Sequence, residues 1–243
     1  MTNHVEFNSI WRLLSDCHFY NFDTSVLRKP IPSTRERVLR SDGANLATVV
    51  DHLSRLRPAV FERIVQYLTV INPALSAIKS IETGGFLALQ FREDGDVFYP
   101  LQISDGTILS LATLVALFER AGGADNVSLI GLEEPETALH PAAAGVLFDA
   151  LQEASCSVQV IATTHSADLL DKKEIDTDAI LSVQRHEGAS RIGHLDATGR
   201  KALKEQLHTP GELMRMNYLR PESGQPPDEE TIESILFDNL VPA

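Results

Sequence analysis

Two consecutive stretches repeat apolar residues at helical spacing: Leu46, Val49, Val50 and Leu53 within residues 44–56, then Val60, Ile64 and Leu68 within residues 59–70. This 3.6-residue period predicts two amphipathic helices. Between residues 77 and 104 the pattern breaks into short runs, 86–91 and 97–101, separated by Glu93-Asp94-Gly95-Asp96, which predicts a small antiparallel hairpin with a turn. Residues 108–118 are apolar on nearly every side, so that helix is buried. An apolar run at 127–132, a helical pattern at 139–154 and a second apolar run at 158–162 then read as strand, helix and strand. A helix of that length between two buried strands is a crossover, so the strands lie parallel and their C-terminal ends share one sheet edge, where function collects. Further on, residues 179–184 and 191–195 read as a strand pair turning at Glu187-Gly188, and residues 199–219 as a covering helical stretch interrupted near Pro210-Gly211.

Length and composition fit this α/β pattern. The chain has 243 residues, 43% hydrophobic and 23% charged, which suits one compact soluble unit. We expect one lobe over residues 1–220, with a helical and hairpin part at 42–105 and a core at 106–220, and an acidic tail at 221–243 that includes Pro226-Pro227-Asp228-Glu229-Glu230. No window reaches the roughly 18 apolar residues of a membrane span, and the start Met1-Thr2-Asn3-His4 has neither part of a signal peptide. The expectation is a cytoplasmic protein with no membrane contact. A net charge of −13 argues against a surface that wraps nucleic acid unaided, so any DNA contact would come through a local patch or another chain. Cys17 and Cys156 match no metal spacing and read as reduced structural thiols.

Three segments carry candidate chemistry. The first strand ends in Leu132-Glu133-Glu134-Pro135-Glu136-Thr137-Ala138-Leu139-His140-Pro141. Adjacent carboxylates beside a buried strand are costly unless they act on a cation or a polarised water; alternatively they are solvated acids near a helix N-terminus. The second strand ends in Thr163-Thr164-His165-Ser166, which puts His165 at the same edge as Glu134. The third segment, Ser104-Asp105-Gly106-Thr107, opens the buried helix and reads either as an anion site or as an ordinary cap.

In this order, from about residue 42 to 219, the three segments resemble the ABC-type AAA ATPases of the RecF, SMC and OLD kind. The Glu-Glu-Pro-Glu-x-x-Leu-His-Pro block is the most specific part. The resemblance implies a parallel-sheet P-loop NTPase-like core with flanking helices, and use of ATP with magnesium. It implies that Glu133 matches the Walker B acid that holds magnesium through water, although many ABC proteins have Asp there, and that Glu134 matches the general base. His165 matches the switch histidine at the γ-phosphate. Ser104, Asp105, Gly106 and Thr107 match the signature presented to ATP on an opposing subunit, and residues 136–140, with Glu136 and His140, cover the D-loop at a dimer interface. The signature here is Ser-Asp-Gly-Thr rather than Ser-Gly-Gly-Gln, which points away from membrane transporters.

The same family needs a Walker A loop to cradle the phosphates. The only Gly-x-x-x-x-Gly spans 188–193, is followed by His194, and lies in the expected strand pair; none of the six lysines follows a glycine loop. The family's Walker A and Q-loop lie upstream of the segment that matches residues 19–27, so the core is expected to be incomplete and the chain to begin partway through the head. A fragment, a split gene product and a remnant are all compatible with that. The leading expectation is an ATPase half-site completed by a homodimer or partner chain that supplies Walker A. The alternatives are a non-catalytic dimerisation or regulatory module and, more weakly, a metal-dependent hydrolase using Glu133, Glu134, Glu136, His140 and His165.

Overall fold

The computed structural model describes residues 11, 14–33, 36–120, 127–172, 175–186 and 188–222. The chain packs as two compact units, residues 1–172 and 173–243, where the sequence reading carries one lobe on to residue 220.

Among the described residues the first unit has two sheets. One is parallel, in the order β1 (Cys17–Tyr20), β6 (Leu129–Glu133), β7 (Gln159–Thr163). The other is antiparallel and built on β4 (Phe86–Glu93), flanked by β3 (Leu75–Thr83), β2 (Ile31–Pro32) and β5 (Asp96–Phe98). The expected hairpin is thus present, with strands the periodicity did not isolate. Its two connections are two-residue turns, Gly84-Gly85 and Asp94-Gly95, all four residues having positive φ, the backbone that tight hairpins require and glycine supplies without strain.

The two amphipathic helices form as expected, α2 at Leu46–Leu56 and α3 at Pro58–Ile71, the second opening on a proline at its first turn. The short α1 (Thr24–Leu27) precedes them. The buried helix α4 runs Asp105–Phe118, three residues longer at its start than its apolar stretch, because Ser104 caps it. It packs against α3 and α5 (Pro141–Ser155), and Ile108, Leu111, Leu114 and Val115 are fully buried. Helix α5 begins two residues after the apolar pattern does, since His140 is its cap and Pro141 its first residue. A short α6 (Ala167–Leu170) follows β7.

The parallel strands alternate as a sheet requires. Tyr20, Ile130 and Leu132 are buried, with Val160 and Ala162 packed beside them. The opposite face is open: register aligns Phe19, Gly131 and Ile161 in one row, with Phe19 64% and Ile161 46% exposed. The Phe19 ring lies across Gly131, where a Cβ would come within 2.3 Å of Cδ1.

In the second unit β8 (Leu181–His186) and β9 (Ala189–His194) form the expected antiparallel pair, turning at Gly188 with φ 85°; Glu187 lies outside the described residues. The expected helical stretch is two helices, α7 (Ala197–Lys204) and α8 (Pro210–Arg215). The expected interruption lies between them, and the Pro-Gly pair opens the second helix: Thr209 and Glu212 make a reciprocal capping box with Pro210 at the first helical position. Ile180, Leu195, Leu203 and Leu213 form the small core of this unit. The first two residues of the expected tail belong to it, Pro221 bridging to Leu195 and Glu222 pairing with Arg200; residues 223–243 lie outside the described residues. Among the described residues no helix is long and apolar enough to cross a membrane.

Candidate functional site

Parallel pairing of β6 with β7 brings the ends of both strands to one edge, and the candidate chemistry gathers there. Glu133, the last residue of β6, is exposed, and its Oε2 accepts a 2.6 Å hydrogen bond from Asn21 Nδ2. Asn21 reaches it because β1 lies beside β6 with Tyr20 opposite Leu132.

The chain then turns sharply. Glu134 has φ 41° and Ala138 φ 64°, left-handed conformations that cost a non-glycine residue about 1–2 kcal/mol each. Backbone hydrogen bonds hold the turn: Glu134 N donates to Thr163 O at 3.1 Å, Thr137 N to Glu134 O at 3.0 Å, and Leu139 N to Glu136 O at 2.9 Å. The strained Glu134 backbone throws its carboxylate toward the end of β7. There Glu134 Oε1 stands 3.5 Å from His165 Nε2. The histidine is 87% exposed and the glutamate 45%, so both can meet a ligand from solvent.

The other acid of the block turns the opposite way. Glu136 Oε1 accepts from the Thr164 hydroxyl, and its Oε2 is buried with no partner. Thr164 Oγ1 in turn accepts from Ser166 N at 2.9 Å, while Ser166 Oγ caps α6 by accepting from Leu169 N. Glu136 therefore ties the turn after β6 to the loop that carries His165. His140 faces solvent, with Nδ1 accepting from Ala142 N at 3.2 Å as the cap of α5.

At the start of α4, Ser104 Oγ accepts from Thr107 N at 3.1 Å and lies 2.8 Å from Thr107 Oγ1. Thr107 Oγ1 also accepts from Asn72 Nδ2 at 3.0 Å. The contacts are those of a capped helix start. Ser104 and Asp105 are exposed; Gly106 and Thr107 are buried. Gly106 is the joint of the site, because a Cβ there would lie 2.5 Å from the carbonyl oxygen of Ala138. Only glycine lets the helix start abut the turn that follows the two acids. The far end of α4 is fixed by Glu119, 5% exposed, which accepts from Leu39 N at 2.9 Å and from the Tyr20 hydroxyl at 3.3 Å. Burial pushes its carboxyl up to about 7.

The structure thus brings Glu133, Glu134, Glu136 and His165 together around two adjacent strand ends, and sets Gly106 against the same turn. Sequence reasoning missed Asn21, and it read Thr163 and Thr164 only as the end of a strand, without their hydrogen bonds to Glu134 and Glu136. Asn21 follows once residues 17–20 are read as a strand beside β6. Among the described residues no group of three or more His, Cys, Asp or Glu side chains could hold a metal ion. Exposed Glu133, with one carboxylate oxygen engaged by Asn21, has the hard-oxygen chemistry that suits a hydrated magnesium, which takes one or two carboxylates and completes its shell with water and phosphate oxygens.

No curated protein matches the chain. The sequence model of the family described as "AAA domain, putative AbiEii toxin, Type IV TA system" matches residues 17–171. Among solved structures, an SMC head bound to the C-terminal winged-helix domain of ScpA aligns at 19% identity over 78% of this chain and 57% of that chain, with a TM-score of 0.50. An SMC head with coiled coil and joint from Pyrococcus yayanosii aligns at 19% identity over 64% of this chain and 30% of that chain, with a TM-score of 0.48. A structure from work on ATP-driven dimerisation and DNA-stimulated activation of SMC ATPases aligns at 18% identity over 65% and 98%, with a TM-score of 0.47. The shared feature is the fold of an ATPase head.

Proposed function

The chain belongs to the AAA domain family that it matches over residues 17–171, and on that premise we propose that it supplies one half of an ATP-hydrolysing ABC-type site. The observation that carries this reading is the Glu134–His165 pair, 3.5 Å apart at the common end of β6 and β7, with the start of α4 abutting the same turn through Gly106.

In this reading Glu134 takes the proton of the attacking water, and His165 contacts the γ-phosphate and keeps Glu134 oriented toward it. Glu133, held by Asn21, would hold the hydrated magnesium, which would polarise the phosphate oxygens. ATP with magnesium supplies the polarised γ-phosphoryl group. The helix start Ser104-Asp105-Gly106-Thr107 presents its exposed Ser104 and Asp105 to nucleotide held by an opposing subunit, with Gly106 and Thr107 packed behind them, and His140 lies on the exposed side of the turn that meets it. Glu136 acts from beneath by fixing the His165 loop. The phosphate-gripping Walker A loop comes from a partner chain. With the loop on a partner chain the working unit is a dimer, and any DNA contact comes through the partner.

Mixing the chain with a polypeptide that bears a Walker A half should yield ATP turnover. Glu134→Gln should then lower turnover by roughly 10²–10⁴-fold while ATP stays bound. Unchanged turnover in that variant would remove Glu134 from the chemistry. A second reading, a non-catalytic dimerisation or regulatory module, is favoured by one observation: the only Gly-x-x-x-x-Gly folds as the Gly188 turn and strand β9, not as a strand-to-helix loop. It predicts association with the Walker A polypeptide and no turnover.

A further inference from the structure

Helix α4 opens with a carboxylate. Asp105 is its first residue, at the end of a helix where free N–H groups attract negative charge, and a carboxylate there repels a second anion such as a phosphate. The Ser-Asp-Gly-Thr segment therefore works on a phosphate only if that charge is answered.

Arg28 answers it. It is the residue that closes α1, far from α4 in sequence, and its side chain is 13% exposed. Its guanidinium donates to the carbonyl oxygen of Pro100, to that of Ile103 at 2.8 Å, and to Asp105 Oδ1 at 2.5 Å. A buried guanidinium needs partners on several sides, and here all three acceptors lie on the one segment that leads into α4. Asp105, 57% exposed, lies outermost in the arrangement. The planar fork bridges two carbonyls and a carboxylate at once, which the point charge of a lysine cannot do.

We propose that Arg28 is a positioning residue of the site: it fixes residues 100–105 so that Ser104 and Thr107 hold their places, and it offsets the charge of Asp105 toward an incoming phosphate. The functional part rests on the half-site reading above; the structural part does not.

Amide hydrogen exchange of the full chain, without nucleotide or partner, tests it. Thr107 N–H is held by Ser104 Oγ, so Arg28→Met should speed its exchange by about tenfold while Leu111 and Leu114 in the middle of α4 keep theirs. Arg28→Lys should recover little of that protection, and Asp105→Asn should keep it, since both carbonyl contacts remain. Wild-type exchange at Thr107 in Arg28→Met, or equal acceleration along all of α4, would overturn the proposal. Should Arg28→Met not fold, Arg28→Lys decides: wild-type exchange in it removes the need for a fork. The half-site reading fails separately, if the wild-type chain gives no turnover with a Walker A polypeptide while the exchange results stand.

Discussion

The two halves of the candidate site are built in opposite ways. The start of α4 is regular and deeply anchored: a capped helix, buried from Gly106 onward but for the partly covered Leu109, with Arg28 holding its approach and Glu119 its far end. The turn after β6 is irregular and largely exposed, carries two residues in left-handed conformations, and is held by backbone and side-chain hydrogen bonds together. They meet where Gly106 abuts Ala138 O. Strain of this kind persists only where surrounding structure imposes it, and it collects at functional sites. Here the rigid helix is the reference surface and the strained turn is the part aimed by it, which sets Glu134 toward His165.

Four measurements can break or sharpen that contrast. The largest effect concerns the anchor at the far end of α4. Glu119 holds its proton with a pKa near 7 when folded against 4.5 ordinarily, so between those values the folded state binds more protons than the unfolded. Stability should therefore be greatest below about pH 4.5 for this group and fall as pH rises through 7, by roughly 3 kcal/mol in all. Denaturation across that range should show the slope, and Glu119→Gln should flatten it; an unchanged slope would place the titrating group elsewhere. Next, Gly106→Ala drives a methyl into Ala138 O and should cost about 1–3 kcal/mol in thermal unfolding. A neutral result would mean the two halves do not bear on each other. Ser104→Ala removes the helix cap and should cost about 1 kcal/mol. The smallest change has the opposite sign: Ala138→Gly relieves a left-handed alanine and should stabilise by about 0.5–1 kcal/mol. If the turn instead loses stability, its conformation is not strained.

Legibility in the sequence follows the same contrast. Helices α2, α3 and α4, the β6–α5–β7 crossover and the hairpins were readable because their burial repeats at fixed local periods, as with Val49, Val50 and Leu53 on one face of α2. The site block was readable because Glu133, Glu134 and His165 follow apolar strands whose ends a crossover brings together. Strand β1 was not, since Cys17–Tyr20 has only four residues and its partner lies more than a hundred positions away. The start of α5 was misjudged by two residues because Leu139 continues the apolar spacing while His140 supplies the cap.

By itself, then, the sequence determined the α/β class, the sheet edge and the acids and histidine that gather there, because periodicity and strand-end position are local properties. The tertiary structure alone decided which acid faces outward and which inward, that Asn21 holds Glu133, that Arg28 reaches Asp105, and that Gly106 must be glycine. Each of those depends on distant segments touching at specific atoms, and no local pattern encodes such a contact.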